Sequence, residues 1–307
     1  MHQPQTRREF LKVSASAAAA TALIALPRGF ARAAGEKKLL YKISCTEYSL
    51  HRMIAKKELD PLDYPAFVKK TFEIDAVEYW NGPFGDKAKD ANYIGDMRKR
   101  ADDAGVKATV ILIDGEGNLG DPDEAKRNEA VDRHKKWVEA AKQLGCHSIR
   151  VNARSKGSYE EQLNLAVDGL RKLSEWAAGH EMGVIVENHG GLSSNGKWLA
   201  AVMDQVGLKN CGTLPDFGNF ESYDRYQGTK ELMPYAKLVS AKSHEFDANG
   251  NETRTDYRRM MKIVVDAGYH DYVGIEYEGS KHPEVEGVKL TKALLEKVRD
   301  ELAQPTA

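Results

Sequence analysis

The stretch Val184-Ile185-Val186-Glu187-Asn188-His189 is a short β-branched run that changes abruptly to polar side chains. Residues 212–217 (Gly-Thr-Leu-Pro-Asp-Phe) and residues 272–277 (Tyr-Val-Gly-Ile-Glu-Tyr) have the same form, with an acidic residue at or near the end of the run. Apolar runs of this length, bounded by turn residues, are typical of buried strands. The sequence therefore predicts buried parallel strands that carry polar chemistry at one end.

Outward from residues 184–189, short strand-like runs alternate with longer amphipathic runs. In one amphipathic run the apolar residues recur at helical spacings of three and four: Leu163, Ala166, Leu170, Leu173 and Ala177. Eight strands are predicted, at 40–48, 76–80, 108–114, 148–153, 184–189, 212–217, 238–244 and 272–277. Strict alternation predicts a parallel sheet covered by helices, and eight units fit a closed (β/α)8 TIM barrel as a single domain over residues 35–307. A doubly wound sheet is the alternative.

Composition and charge narrow the class of protein. The 307 residues are 41% hydrophobic and 30% charged, with a formal net charge of −1, and these values exclude a disordered chain, a collagen-like repeat and a small disulfide scaffold. The sequence has no cluster of Lys and Arg to neutralise phosphates, so a nucleic-acid partner is not expected. Cys45, Cys146 and Cys211 fall in or just before predicted strands, and we expect buried free thiols rather than metal ligands.

The first 34 residues have the form of an export signal. Arg7-Arg8 is followed by Phe10-Leu11-Lys12, by an apolar run at 13–26 and by the small-residue triplet Ala31-Arg32-Ala33. This order resembles a twin-arginine signal peptide, which implies export of the folded protein to the periplasm and no membrane segment after cleavage. An uncleaved N-terminal anchor is the alternative.

Four side chains of metal-ligand type fall at the ends of successive predicted strands. Glu187, Asp216, His244 and Glu276 are separated by 29, 28 and 32 residues, and each gap is one strand–helix unit. In a TIM barrel such strand ends meet on one rim, and three carboxylates with one imidazole suit one divalent ion such as Mn²⁺, Mg²⁺, Co²⁺ or Zn²⁺. Lys242 and His244 lie on the same face of the seventh strand, so Lys242 is the alternative to His244 at the ion.

With these residues the chain resembles the xylose isomerase-like TIM barrels, a family that includes sugar epimerases, inosose-processing enzymes and endonuclease IV. The resemblance spans about residues 38–303 and includes the local runs Glu187-Asn188-His189 and Gly274-Ile275-Glu276-Tyr277. It implies that Glu187 and Glu276 bind the metal and also transfer protons. Two features depart from the family's epimerases: Asn219 stands where a substrate-binding histidine is common, and the seventh strand lacks the usual His-x-Lys-Asp.

Further residues at the predicted strand ends are candidates for binding substrate: Trp80, Asp114, Arg150, Asn152, His189, Asn219 and Lys242. As alternatives, Arg150 braces an acidic residue within the barrel, and Trp80 plugs the barrel instead of stacking on a sugar ring.

Residues 115–120 read GxGxxG, but Asp121-Pro122 is expected to begin the next helix, which favours a rim loop over a dinucleotide site. His134 lies on an apolar helix stripe and is expected to be a core histidine.

The residues and the resemblance together predict a metal-dependent isomerase or epimerase that moves a proton through an enediolate intermediate. The expected partner is a small carbohydrate, keto-sugar or cyclitol, and self-association into a homo-oligomer is left open. Three other functions remain as alternatives: an endonuclease IV-like phosphodiesterase, a lyase or hydrolase of keto-glycosides, and a non-catalytic periplasmic solute-binding barrel. Removal of residues 1–34 takes away more basic than acidic residues, and the more acidic mature chain opposes the phosphodiesterase.

Overall fold

Eight parallel strands with helices between them close into a barrel. The computed structural model describes residues 39–304, and the predicted signal peptide at 1–34 lies outside the described residues. The strands are β1 (Lys42–Thr46), β2 (Ala76–Trp80), β3 (Lys107–Leu112), β4 (Ser148–Asn152), β5 (Gly183–Glu187), β6 (Cys211–Leu214), β7 (Val239–Ser243) and β8 (Tyr272–Tyr277). The predicted (β/α)8 architecture is confirmed.

The order of the strands excludes the doubly wound alternative. Consecutive strands pair from β1 to β6, and β1 also pairs with β8, which pairs with β7. Two hydrogen bonds help to close the seam between β6 and β7: the N–H of Ser240 donates to the carbonyl of Pro215 at 2.9 Å, and the N–H of Phe217 donates to the carbonyl of Ser240 at 3.1 Å. This closure places Asp216 directly beside Ser240.

The helices surround the strands. Within residues 39–304 they are α1 (His51–Ala55), α2 (Tyr64–Phe72), α3 (Ala91–Asp103), α4 (Glu124–Leu144), α5 (Tyr159–Ala178), α6 (Gly196–Val206), α7 (Arg225–Leu232), α8 (Tyr257–Asp266) and α9 (Glu284–Leu302). The carboxylate of Asp123 caps α4 by accepting the N–H groups of Ala125 and Lys126. The expectation that this helix begins at Asp121-Pro122 is therefore wrong by about two residues. In the part of the chain that the structure describes, no helix combines the length and apolar character that crossing a membrane requires.

The main core lies between the strands and the helices. All five residues of the predicted apolar stripe on α5 are buried in it, and burial of each of the three leucine side chains contributes about 1.5–3 kcal/mol. The three cysteines are buried and free, as predicted. His134 is also buried, with its Nδ1 2.7 Å from the carbonyl oxygen of Ala130. A separate apolar cluster of residues in the strands, or directly before one, fills the barrel interior: Val110, Leu112, Ile185, Leu214 and Leu238.

Candidate active site

Three buried carboxylates meet at the carboxyl ends of the strands. Glu187 is the last residue of β5, Glu276 lies one residue before the end of β8, and Asp216 lies two residues beyond the end of β6. One oxygen from each side chain lies within 4.8 Å of the others. The structure therefore brings together three of the four predicted ligands, which we name the carboxylate triad.

Asp216 is held in place by its own loop and by β7. Its Oδ1 accepts the backbone N–H groups of Gly218 at 2.8 Å and Asn219 at 2.9 Å. The hydroxyl of Ser240 lies 2.7 Å from Oδ2 of Asp216 and 2.8 Å from Oε2 of Glu276. Because a hydroxyl carries one proton, Ser240 donates to one of these carboxylates at a time and links the two.

Glu187 is enclosed by polar neighbours. Its Oε1 accepts a hydrogen bond from Nδ2 of Asn219 at 2.8 Å, and its Oε2 lies 2.9 Å from Nε of Arg150. Nη1 of Arg150 also donates to Oδ1 of Asp114 at 3.0 Å. Arg150 thus joins two acidic residues as a brace within the barrel, which is the alternative that the sequence left open for it.

The fourth position holds lysine in place of histidine. Nζ of Lys242 lies 3.2 Å from Oε1 of Glu276, 3.7 Å from Oδ2 of Asp216 and 2.6 Å from Oε1 of Glu278. His244 follows the last residue of β7, and its backbone N–H donates to Oε1 of Glu252. The expectation that His244 joins the three carboxylates is therefore not met, because Lys242, two residues earlier in the chain, occupies the position beside them.

Burial and neighbouring charges separate the pKa values within the triad. Burial raises the pKa of Glu187 to about 7 against the opposing effect of Arg150. Burial likewise raises the pKa of Asp216 to about 8, although Lys242 opposes it. Burial also acts on Glu276, but Lys242, the hydroxyl of Ser240 and Arg150 together lower its pKa below the usual value. Glu276 is therefore the carboxyl group of the triad that is most readily ionised.

A cavity of about 430 Å³ opens above the triad, a size within the range of small-molecule sites. All seven residues predicted to bind substrate line it: Trp80, Asp114, Arg150, Asn152, His189, Asn219 and Lys242. Of the triad, Glu276 lines the cavity, whereas Glu187 and Asp216 lie behind the lining residues. His244 does not line the cavity.

One wall of the cavity is aromatic. Trp80 donates from Nε1 to Oδ2 of Asp114 at 3.2 Å, and its ring is perpendicular to that of Tyr48, with centroids 5.0 Å apart. Tyr48 and Glu278 line the cavity but were not among the predicted residues. Glu278 could have been found from the strand period of two, because it lies two residues after Glu276 and points to the same side.

The glycine-rich segment forms part of the cavity rim. Residues 115–118 line the opening, with Gly115 and Gly117 at φ values of 81° and 93°, which glycine adopts without strain. The next helix begins only at Glu124, so these glycines do not lie at a helix N-terminus as a dinucleotide fingerprint requires. This geometry supports the rim loop.

The triad suggests a site for a divalent metal ion, since carboxylate oxygens from three strands converge. Lys242 occupies the position predicted for the fourth ligand, and its chemistry decides whether the triad and this residue together fit such an ion. A protonated lysine has three donor N–H groups and no lone pair, so it cannot be a ligand, and its charge repels a second cation. Nζ of Lys242 lies 3.2 Å from Glu276 and 3.7 Å from Asp216. The triad together with Lys242 therefore does not fit a resident divalent ion.

One curated protein matches part of this chain in sequence. The C-glycoside deglycosidase alpha subunit of Arthrobacter globiformis is 30% identical over 82 residues, which are 25% of this chain and 23% of that protein. This chain thus matches about a quarter of the relative's length.

Two solved structures are similar over most of this chain. One is 3-keto-D-glucoside 4-epimerase from E. coli, with 17% identity, a TM-score of 0.65, and coverage of 84% of this chain and 99% of that one. The other is the IOLI protein with a bound zinc atom, with 17% identity, a TM-score of 0.68, and coverage of 85% and 98%. These likenesses concern the fold. The family described as "Xylose isomerase-like TIM barrel" matches residues 67–300, and this chain belongs to that family.

Proposed function

We propose that this protein is an isomerase or epimerase that moves a proton on a carbon next to the carbonyl group of a sugar, keto-sugar or cyclitol. The observation that carries the proposal is the pairing of Glu276 with Lys242 on the cavity wall, where a buried carboxylate lies 3.2 Å from a buried ammonium. Removal of such a proton needs a positioned base and a group that stabilises the resulting oxygen anion. The pair supplies both.

Glu276 is the base in this proposal. Its carboxylate takes the proton, the electron pair of the C–H bond becomes the C=C bond of an enediolate, and the negative charge moves to the former carbonyl oxygen. Lys242 lines the same cavity, and its Nζ would turn one of its three N–H groups from the neighbouring carboxylates to that oxygen. Arg150 lies on the same wall and adds a second positive charge.

The return of the proton determines the product. If Glu276 returns it to the neighbouring carbon, the product is an isomer. If a second acid returns a proton to the opposite face of the first carbon, the product is an epimer. Glu187 is the predicted second acid, and burial raises its pKa to about 7, which suits a proton donor. Glu187 lies behind Arg150 and Asn219, so its role stays a prediction that requires these side chains to move.

Dependence on a divalent ion also stays a prediction. The convergence of three carboxylates supports it, and one similar structure holds zinc. The ammonium of Lys242 opposes it. The proton transfers above need only residues of this chain.

Two observations favour a keto-sugar or keto-glycoside among the substrate classes. The side chains of Asp114, Asn152 and His189 on the cavity wall suit a ligand rich in hydroxyl groups. Two similar proteins are named for a 3-keto-glucoside and for a C-glycoside. A keto-glycoside lyase is the second candidate function, because elimination next to a carbonyl group begins with the same proton abstraction.

The experiment is an NMR analysis of products in D₂O, with 3-keto-glucosides, ketohexoses and keto-cyclitols as substrates. We expect deuterium at one carbon of the product, and we expect Glu276→Gln to lower the rate by about 10²–10⁴-fold. Glu286→Gln, the same change on the exposed side of α9, should leave the rate unchanged. Glu187→Gln should keep the exchange but lose the epimer if Glu187 is the second acid. An epimer formed without deuterium, or a Glu276→Gln variant with the wild-type rate, would refute the proposal.

We also propose that residues 1–34 are a twin-arginine signal peptide and that the mature protein acts in the periplasm. The support is the order of Arg7-Arg8, the apolar run and Ala31-Arg32-Ala33. Changing both Arg7 and Arg8 to Lys should leave folded precursor in the cytoplasm, as measured by cell fractionation. Normal periplasmic delivery of the double variant would show that the assignment is wrong.

A further inference from the structure

Lys242 occupies the inner face of β7 at the level of the triad. It pairs in register with Glu276 across β7 and β8, and its side chain is 3% exposed. Its Nζ contacts Glu276, Asp216 and Glu278, which come from two different strand ends. The ammonium therefore fills the place where a fourth ligand would have to approach the triad.

The surrounding chain is shaped to hold this lysine. A Cβ atom at Gly218 would lie 2.6 Å from Cγ of Lys242, so the absence of a side chain at Gly218 makes room for the lysine stem. The hydroxyl of Tyr257 donates to the carbonyl oxygen of Lys242 at 2.9 Å. Two neighbouring elements thus fix the position of Lys242.

Lys242 and Arg150 together carry the same positive charge as a divalent ion. Lys242 lies against Glu276 and Asp216, and Arg150 lies 2.9 Å from Oε2 of Glu187. The two fixed cations carry two positive charges and contact all three acids of the triad. Without such cations, three buried carboxylates this close together would repel one another strongly.

We propose that Lys242 and Arg150 replace the divalent ion, so that the folded protein keeps its triad together without a metal and uses the ammonium of Lys242 to hold the substrate oxygen. The second half of this proposal rests on the proposed function. The first half concerns the resting protein alone, and its test needs no turnover.

The test is metal binding. Purified wild-type protein is dialysed against EDTA, its metal content is measured by mass spectrometry, and MnCl₂ and ZnCl₂ are titrated in by calorimetry. We expect far less than one ion per chain and the same melting temperature before and after EDTA. A tightly held ion, or a melting temperature that falls with EDTA and recovers with added metal, would overturn the proposal.

Two variants decide whether Lys242 is the replacing cation. Lys242→His places an imidazole at this position and should raise the affinity for Mn²⁺ or Zn²⁺ by about tenfold or more, because a positive charge beside the triad is removed. The exposed control Lys281→Met should leave the affinity unchanged. If Lys242→His does not fold, Lys242→Met serves as the second variant, with the same expected direction. A folded variant without any gain in metal affinity would overturn the assignment to Lys242.

Discussion

Nζ of Lys242 lies 3.2 Å from Oε1 of Glu276, and the two residues face each other in register across β7 and β8. This contact puts a fixed cation against the triad carboxylate that lines the cavity. The candidate base and the group that would stabilise an oxygen anion are therefore neighbours, and a change to either residue is expected to affect both stability and chemistry.

Removal of the Lys242 ammonium should lower the free energy of unfolding most at high pH. Loss of one partner of a buried ion pair costs about 3–5 kcal/mol, so we expect a loss of this size for Lys242→Met. Burial raises the pKa of Glu276, and Lys242 is the main group that lowers it. Without the ammonium we therefore expect a folded-state pKa above the unfolded value, and stability that is lost as the pH increases. Urea unfolding should therefore show a larger loss at pH 8 than at pH 5.

Two further variants serve as controls for Lys242→Met: a double variant that also removes the Glu276 carboxylate, and a substitution of a surface lysine. Glu276→Gln in the Lys242→Met background should recover part of the lost stability, because the unpaired charge is gone. Lys281→Met on the exposed surface should change the free energy of unfolding by no more than about 0.5 kcal/mol. Equal losses for Lys242→Met at both pH values would contradict this account.

The contact between Gly218 and Lys242 predicts a second effect. In Gly218→Ala the new Cβ would lie 2.6 Å from Cγ of Lys242, so the lysine must shift. A shift of about 1 Å in a positioned catalytic group can lower the rate about 100-fold. Gly85→Ala is the control, because nothing lies within 4 Å of a Cβ at that position. We expect lower kcat only in Gly218→Ala, and full activity with an unmoved lysine would show that the close contact is unimportant.

Glu47 predicts a pH dependence away from the triad. Burial raises the pKa of this carboxyl to about 8, and the N–H of Trp80, which donates to Oε2 at 2.9 Å, opposes this only in part. In the unfolded chain the group loses its proton near its ordinary pKa of 4.5. The folded state therefore binds more protons between these values, and stability falls as the pH rises from 5 to 8.

The variant Glu47→Gln removes this titration. Its free energy of unfolding should decline less than that of the wild type between pH 5 and pH 8, as measured by urea unfolding at both values. Parallel declines in the two proteins would mean that Glu47 is ionised throughout this range in the folded state.

The alternation of strands and helices was sufficient to predict the barrel, because eight buried strands have few other parallel arrangements. It also predicted that Glu187, Asp216 and Glu276 would meet, since strand ends share one rim. The choice between Lys242 and His244 depended on where β7 ends, and the period of two places both residues on one face. Sequence patterns locate strand ends only to within a few residues, so the residue of β7 that contacts the triad could not be assigned.

The polar contacts that enclose Glu187 could not be predicted either, and the reason is a different one. It depends on contacts with Arg150 and Asn219, which come from β4 and from the loop after β6. Such contacts between distant parts of the chain leave no periodic signal in the sequence. The cavity residue Glu278 was missed because it lies one residue beyond the predicted eighth strand. Tyr48 ends the predicted first strand, but none of the four predicted metal ligands comes from that strand.

In the proposed reaction, Glu276 takes a proton from a substrate carbon. The most direct measurement is the rate at which that carbon-bound hydrogen exchanges with D₂O in the wild type, in Glu276→Asp and in Glu276→Gln. We predict that exchange falls by about 10²–10⁴-fold in Glu276→Gln and is partly retained in Glu276→Asp, which keeps a carboxylate with a shorter reach. Exchange in Glu276→Gln at the wild-type rate would contradict the account.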